Sequence, residues 1–257
     1  MTATDWIAII GALAWLPPIV GAVRQWLTKP EVRIITQPAP EIGFTTFGPI
    51  CNMRLAFSVK NKDLVVTGLK LVITHDSGES RIFEWRGITQ KMGQMNYPAI
   101  GPVPFEKELN VLAMKLVERD IEERFVRFQE TAFLQGKANV EKRASKRLAY
   151  LKQQGDLDRV AFLKSEEMAD VYSCVKQGFS WKAGNYTVQF VLESPEKFEV
   201  SDDRYEFSLS PVEIEHLEAN KRCIEQSYAN EINPPEGEEK PEPVAWNWSN
   251  PDMRRAT

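Results

Sequence analysis

The chain has 257 residues, 43% of them hydrophobic and 26% charged, which suffices for one sizeable globular core and excludes a wholly disordered chain. A formal net charge of -4 with two histidines argues against a dedicated nucleic-acid binder, which is normally basic over a whole face. Cys51, Cys174 and Cys223 are widely spaced and odd in number, so neither a disulfide framework nor a zinc site is indicated and a reducing compartment fits best.

Residues 1–29 are predicted to be a transmembrane anchor. Residues 6–23 (WIAIIGALAWLPPIVGAV) form an uncharged run of eighteen, the length at which a helix can span a bilayer. Trp6 and Trp26 lie twenty positions apart, about 30 Å along a helix, and match two interfacial belts. Cleavage as a signal peptide at Ala12-Leu13-Ala14 is disfavoured, because no basic residue precedes the run and the apolar stretch before that site is short. Asp5 before the run and Arg24, Lys29 and Arg33 after it place the C-terminal domain on the cytoplasmic face of the inner (plasma) membrane, with the N-terminus outside. Pro17 and Pro18 leave two forms open, a kinked single span and a re-entrant hairpin. Ala8 and Ala12 make a small-xxx-small pair that would suit a homo-oligomer through this helix.

Beyond Pro30 the apolar period changes to two. Residues 30–104 are predicted to form the first part of a β-sandwich, with strands over 31–37, 51–59, 64–74 and 81–85 and a hairpin turn at His75-Asp76-Ser77-Gly78. Residues 105–178 are predicted to be a helical insertion of two or three helices. Val117, Ile121, Phe125 and Phe128 recur at helical spacing, as do Val140, Ala144, Leu148 and Leu151, and a third run carries Leu157, Val160, Leu163, Met168 and Val171.

Strands resume over residues 179–209, the second part of the sandwich. There Ala183-Gly184-Asn185-Tyr186-Thr187-Val188 resembles the start of strand F in immunoglobulin-like sandwiches, with Val188 where antibody domains carry a cysteine. The resemblance implies a tyrosine corner in which the Tyr186 hydroxyl bonds to backbone upstream. Ser210, Pro211 and Glu213 supply a cap, a first-turn proline and a capping box for a C-terminal helix over 210–232. Residues 233–257 read as a disordered acidic tail ending in a tryptophan pair. The expected fold class is therefore membrane-anchored α+β: a transmembrane helix, an antiparallel immunoglobulin-like β-sandwich with a helical insertion, and a C-terminal helix.

Chemistry is sparse. No nucleophile elbow, Walker loop, dinucleotide fingerprint or zinc-protease helix occurs, so the chain is expected not to be an enzyme and no cofactor or metal is implied. Lys142, Arg143, Lys146 and Arg147 share one helix face and suit an anionic lipid or other anionic ligand, against the plainer reading of a solvated face. Trp246 and Trp248 suit partner binding, against intramolecular packing. Two functions are carried forward: a single-pass protein-interaction module that meets a cytosolic protein at the lipid bilayer, and a ligand-sensing membrane effector that binds a small anionic ligand or nucleotide and assembles through its transmembrane helices.

Overall fold

The computed structural model describes residues 28–97, 101–109, 112–201, 204–234 and 241–256; in the strands at 89–97 and 101–109 the description extends to the backbone alone. The strands are β1 (Glu31–Thr36), β2 (Glu41–Thr45), β3 (Gly48–Lys60), β4 (Leu64–Val66), β5 (Gly68–His75), β6 (Ser80–Tyr97), β7 (Gly101–Leu109), β8 (Met114–Leu116), β9 (Ile121–Glu130), β10 (Gly184–Glu193), β11 (Glu199–Ser201), β12 (Arg204–Leu209), β13 (Trp248–Ser249) and β14 (Arg254–Arg255). The helices are α1 (Thr131–Gln154), α2 (Arg159–Leu163), α3 (Glu166–Gln177), α4 (Pro211–Ala219) and α5 (Ile224–Ile232), with a 3-10 turn, Asn220–Cys223, joining the last two.

Twelve strands form one sheet in the order β11-β1-β3-β9-β6-β5-β10-β12-β14, with β2 and β13 attached beside β3 and β7 beside β6. All its pairings are antiparallel except β1 with β11. The strands β4 and β8 make a separate ladder.

This corrects the expected immunoglobulin-like sandwich, which needs two sheets packed face to face. Here two long strands prevent that division. The thirteen residues of β3 pair with β1, β2 and β9, and the eighteen of β6 pair with β5, β9 and β7 across a bulge between Trp85 and Gly87. Hydrogen bonding is thus continuous from one edge to the other, and the sheet curls into a half-barrel as its twist accumulates. The expected transmembrane helix is corrected too: no helix among the described residues is long and apolar enough to cross a membrane, and the run at 6–23 lies outside the described residues.

The inner face of the sheet is apolar at every second position, as in Met53, Leu55, Phe57 and Val59 of β3 or Tyr186, Val188, Phe190 and Leu192 of β10. Each such side chain contributes about 1.5–3 kcal/mol by leaving water. A second core lies where β2 meets the helices, and in it Phe44, Phe133, Phe162, Met168, Val171, Val175 and Ile224 are buried together. Val140, Leu148 and Leu151 of α1 pack against this core, on the stripe their spacing indicates.

Residues 121–130, expected to be helical, are strand β9. Val126, Phe128 and Glu130 face inward while Ile121 is 63% exposed, so the period of two is the one in use. A ladder on each side, to β3 and to β6, outweighs a helical stripe that Ile121, Phe125 and Phe128 match equally well.

The tyrosine corner exists inside this different topology. The Tyr186 hydroxyl donates to the Lys182 carbonyl at 2.8 Å and accepts from the Lys182 amide at 2.7 Å. Its ring stacks on Phe207 with centroids 5.0 Å apart and meets Trp181 edge-on at 5.8 Å. Beside it Arg81 joins Glu79 to the buried Glu130, which it meets at 2.7 Å, and Lys182 also reaches Glu79, at 2.6 Å. Burial opposes the charge on Arg81, but its hydrogen bonds to Glu130 and Glu79 prevail and raise its pKa. Hydrogen bonds from Lys182 and Arg81 hold the Glu79 carboxyl below its usual range.

Candidate functional site

The outer face of β2, β3, β9 and β6 carries the most distinctive surface. Cross-strand register places Glu41, Asn52, Arg127 and Gly87 in one row, with Gly43, Ile50 and Gln129 in the next. The bulge at Trp85 and Gly87 sets Arg86 beside these rows. The C-terminal segment completes the wall, because β13 pairs Trp248 with Gly43 and Ser249 with Ile42. The result is an open groove of about 730 Å³, within the range of ligand sites, lined by Trp246, Trp248, Phe47, Asn52, Arg86 and Arg127 among others.

Several contacts hold the C-terminal segment in place, so residues 241–256 are not the disordered tail expected from their sequence. Asn220 is fully buried and acts as a strand would: its amide donates to Asn247 O at 2.8 Å and to Phe44 O at 2.9 Å, while its carbonyl accepts from Asn247 N at 2.8 Å. Asn247 also donates to His216 O, and Asn250 to Pro40 O. Ser249 donates to Glu213, whose capping box with Ser210 starts α4 as the sequence indicates. Farther on, Met253 is buried in the main core and β14 pairs with β12. At Gly43 the segment lies tight against the sheet. A Cβ there would overlap the Trp248 indole, and Trp181 donates to the Gly43 carbonyl from within at 2.9 Å.

The groove combines flat apolar surfaces with the guanidinium groups of Arg86 and Arg127 and the carboxylate of Glu41. Trp248 stays 41% exposed and Phe47, at the tip of the β2–β3 turn, 53%. Lys137 stands behind that turn, donating to Thr46 O at 2.7 Å with its ammonium 5.4 Å from the Phe47 ring. Arg86 meets Glu84 at 3.4 Å and keeps much of its side chain exposed. Asn52 is 6% exposed, and among the described residues its Oδ1 has no hydrogen-bond partner.

Of the residues singled out in the sequence, Trp246 and Trp248 meet in this groove. Lys142, Arg143, Lys146 and Arg147 do not line it; they lie exposed on α1. Arg143 pairs with Asp170 at 3.1 Å and Arg147 approaches Glu167 at 3.9 Å, so α3 offsets half of that patch. The residues that sequence reasoning missed are Phe47, Asn52, Arg86 and Arg127. An outward polar side chain in a half-buried strand is ordinary, and Arg127 lay in a segment assigned to a helix. The bulge that sets Arg86 beside the groove has no signal in the chain beyond Gly87.

Other hollows carry less chemistry. One of about 270 Å³ between α1, α2, α3 and α5 is lined by apolar side chains together with Glu141, Tyr228 and Glu231, and holds no cationic group among the described residues. Another, of about 600 Å³, includes His75, but that ring is engaged with Ser77 at 2.8 Å and Ala183 O at 3.2 Å and ties the β5–β6 hairpin to β10. Cys51 is buried, and burial pushes its thiol up, away from reactivity at neutral pH. No group of three or more metal-ligating side chains occurs among the described residues.

Comparison with known proteins finds no matching family model, curated protein or solved structure. Neither the membrane role nor the protein-binding role expected from the sequence therefore gains support from relatives.

Proposed function

We propose that this chain is a non-enzymatic binding module that takes a small anionic ligand in the groove between the outer sheet face and the C-terminal segment. The observation that carries the reading is the placement of Arg86 and Arg127 on adjacent strands, beside Trp246 and Trp248, in a hollow of ligand size. Guanidinium groups present fixed forks of donors to carboxylate or phosphate, and tryptophan supplies broad contact at low entropic cost.

Thermal unfolding of the full chain with pyrophosphate, tripolyphosphate, citrate or glutamate tests this. At one hundred times its Kd a ligand of the native state adds about 2.7 kcal/mol, so a multivalent anion is expected to raise the Tm measurably. The rise should vanish in an R86Q/R127Q double variant. No shift with any anion, or an equal shift in the double variant, contradicts the reading.

A further inference from the structure

We infer that the ligand of this groove is a ribonucleotide, with its base on Trp248, its sugar against Asn52 and its phosphates on Arg127 and Arg86. This deepens the anion-binding reading and rests on it. The inference comes from the order of chemistry across the sheet. The Trp248 indole lies over Gly43, so the flat apolar platform is above β2. The next strand, β3, offers Asn52, a nearly buried side chain whose Oδ1 has no partner among the described residues. Beyond it stand Arg127 on β9 and Arg86 on β6. Neighbouring strands are about 4.8 Å apart, so stacking platform, hydrogen-bond acceptor and guanidinium pair follow one another at the spacing of base, sugar and phosphate.

Each part asks for a particular group. An exposed indole backed by the sheet stacks any base and reads none, so affinity should depend little on base identity. Asn52 Oδ1 is an acceptor without a donor among the described residues and is closed to solvent, so a bound sugar must draw the Asn52 amide outward, where a ribose hydroxyl supplies the missing donor. Two arginines on adjacent strands suit a phosphate chain better than a single carboxylate. Glu41, across from Asn52, disfavours an anion at the sugar position and leaves the β9–β6 side for phosphate.

Calorimetric titration of the full chain with ATP, UTP, adenosine, tripolyphosphate and 2′,3′-dideoxy-ATP tests the assignment. ATP and UTP are expected to bind within about threefold of each other. Adenosine and tripolyphosphate should each bind at least about tenfold more weakly than ATP, as should 2′,3′-dideoxy-ATP, because a site built around a hydroxyl rejects an analogue that lacks it. In N52A the difference between ATP and its dideoxy analogue should disappear. Tripolyphosphate binding as tightly as ATP would overturn the nucleotide while leaving the anion site standing. Dideoxy-ATP binding as tightly as ATP would overturn the assignment of Asn52 to the sugar, no binding by ATP would overturn the ribonucleotide, and failure of pyrophosphate, tripolyphosphate, citrate and glutamate as well would overturn both readings.

Discussion

Tyr186 shows how much one residue can carry when its physics is local. The run Gly184-Asn185-Tyr186 pointed to a tyrosine corner, and the corner is present although the sheet around it differs from the one that motivated it. Removing the hydroxyl in Tyr186→Phe deletes both bonds to Lys182 and is expected to cost about 1–2 kcal/mol in urea unfolding. Tyr186→Ala also removes a ring that is 5% exposed and packed on Phe207 and Trp181, and should cost about 3–5 kcal/mol. Equal stability of both variants and wild type would show that the corner contributes nothing. Asn52 and Arg127 were not legible in the same way. Their role depends on which strands lie alongside, and cross-strand neighbours 75 residues apart leave no trace in a local pattern. Gly43→Ala tests this tight approach: the added methyl has no room under Trp248, so the indole must lift, with an expected red shift and increased quenching of tryptophan fluorescence. An unchanged spectrum would mean that the ring does not rest there.

Among the elements, the C-terminal segment and β9 departed most from expectation, for different reasons. The acidic, proline-rich run at 234–243 suggested that everything after it was disordered, yet 241–256 docks by side-chain to backbone bonds from Asn220 and Asn250 and by the burial of Met253. Asn220 sits in a helical-looking stretch, where an asparagine gives no hint that it will pair with another strand. Asn220→Ala leaves the Phe44 carbonyl and both Asn247 backbone groups without their partner, and is expected to cost about 3 kcal/mol and to expose the segment to proteolysis before the rest of the chain unfolds. For β9, the apolar positions fit both periods, and only the presence of β3 and β6 on its two sides decided between them. The segment also carries a pH dependence. Partial burial opposes the Glu213 charge, but hydrogen bonds from Ser249 and Ser210 outweigh it and hold the carboxyl below the usual carboxylate range. A carboxyl lowered in the folded state stabilises it fully above the unfolded pKa, and that stabilisation is lost as pH falls through the folded one. Docking of 241–256 is therefore expected to be constant from neutral pH down to about 5 and to loosen in the acid range below that, with Glu213→Gln removing this part of the acid response. Identical acid profiles for wild type and E213Q, followed by tryptophan fluorescence, would contradict it.

At the scale of the whole molecule, alternation of apolar residues was enough to find the main strands and the inward faces, but not how the strands join. Sandwich and half-barrel use the same half-buried strands, and the difference lies in β3 and β6, which are long enough to pair with several partners each and so keep the sheet continuous. That continuity is also what makes the groove, since a sheet divided at β9 would not hold Asn52, Arg127 and Arg86 on one face. The most direct test is hydrogen exchange of the full chain with and without ATP. The expected result is slowed exchange confined to the strands and segment that line the groove: β2 with its turn through Phe47, the centre of β3, residues 125–129, residues 86–87 and residues 246–249. No change on adding ATP at saturating concentration, or protection centred on the basic face of α1 or on the hollow at His75, would contradict the assignment of the ligand to this groove.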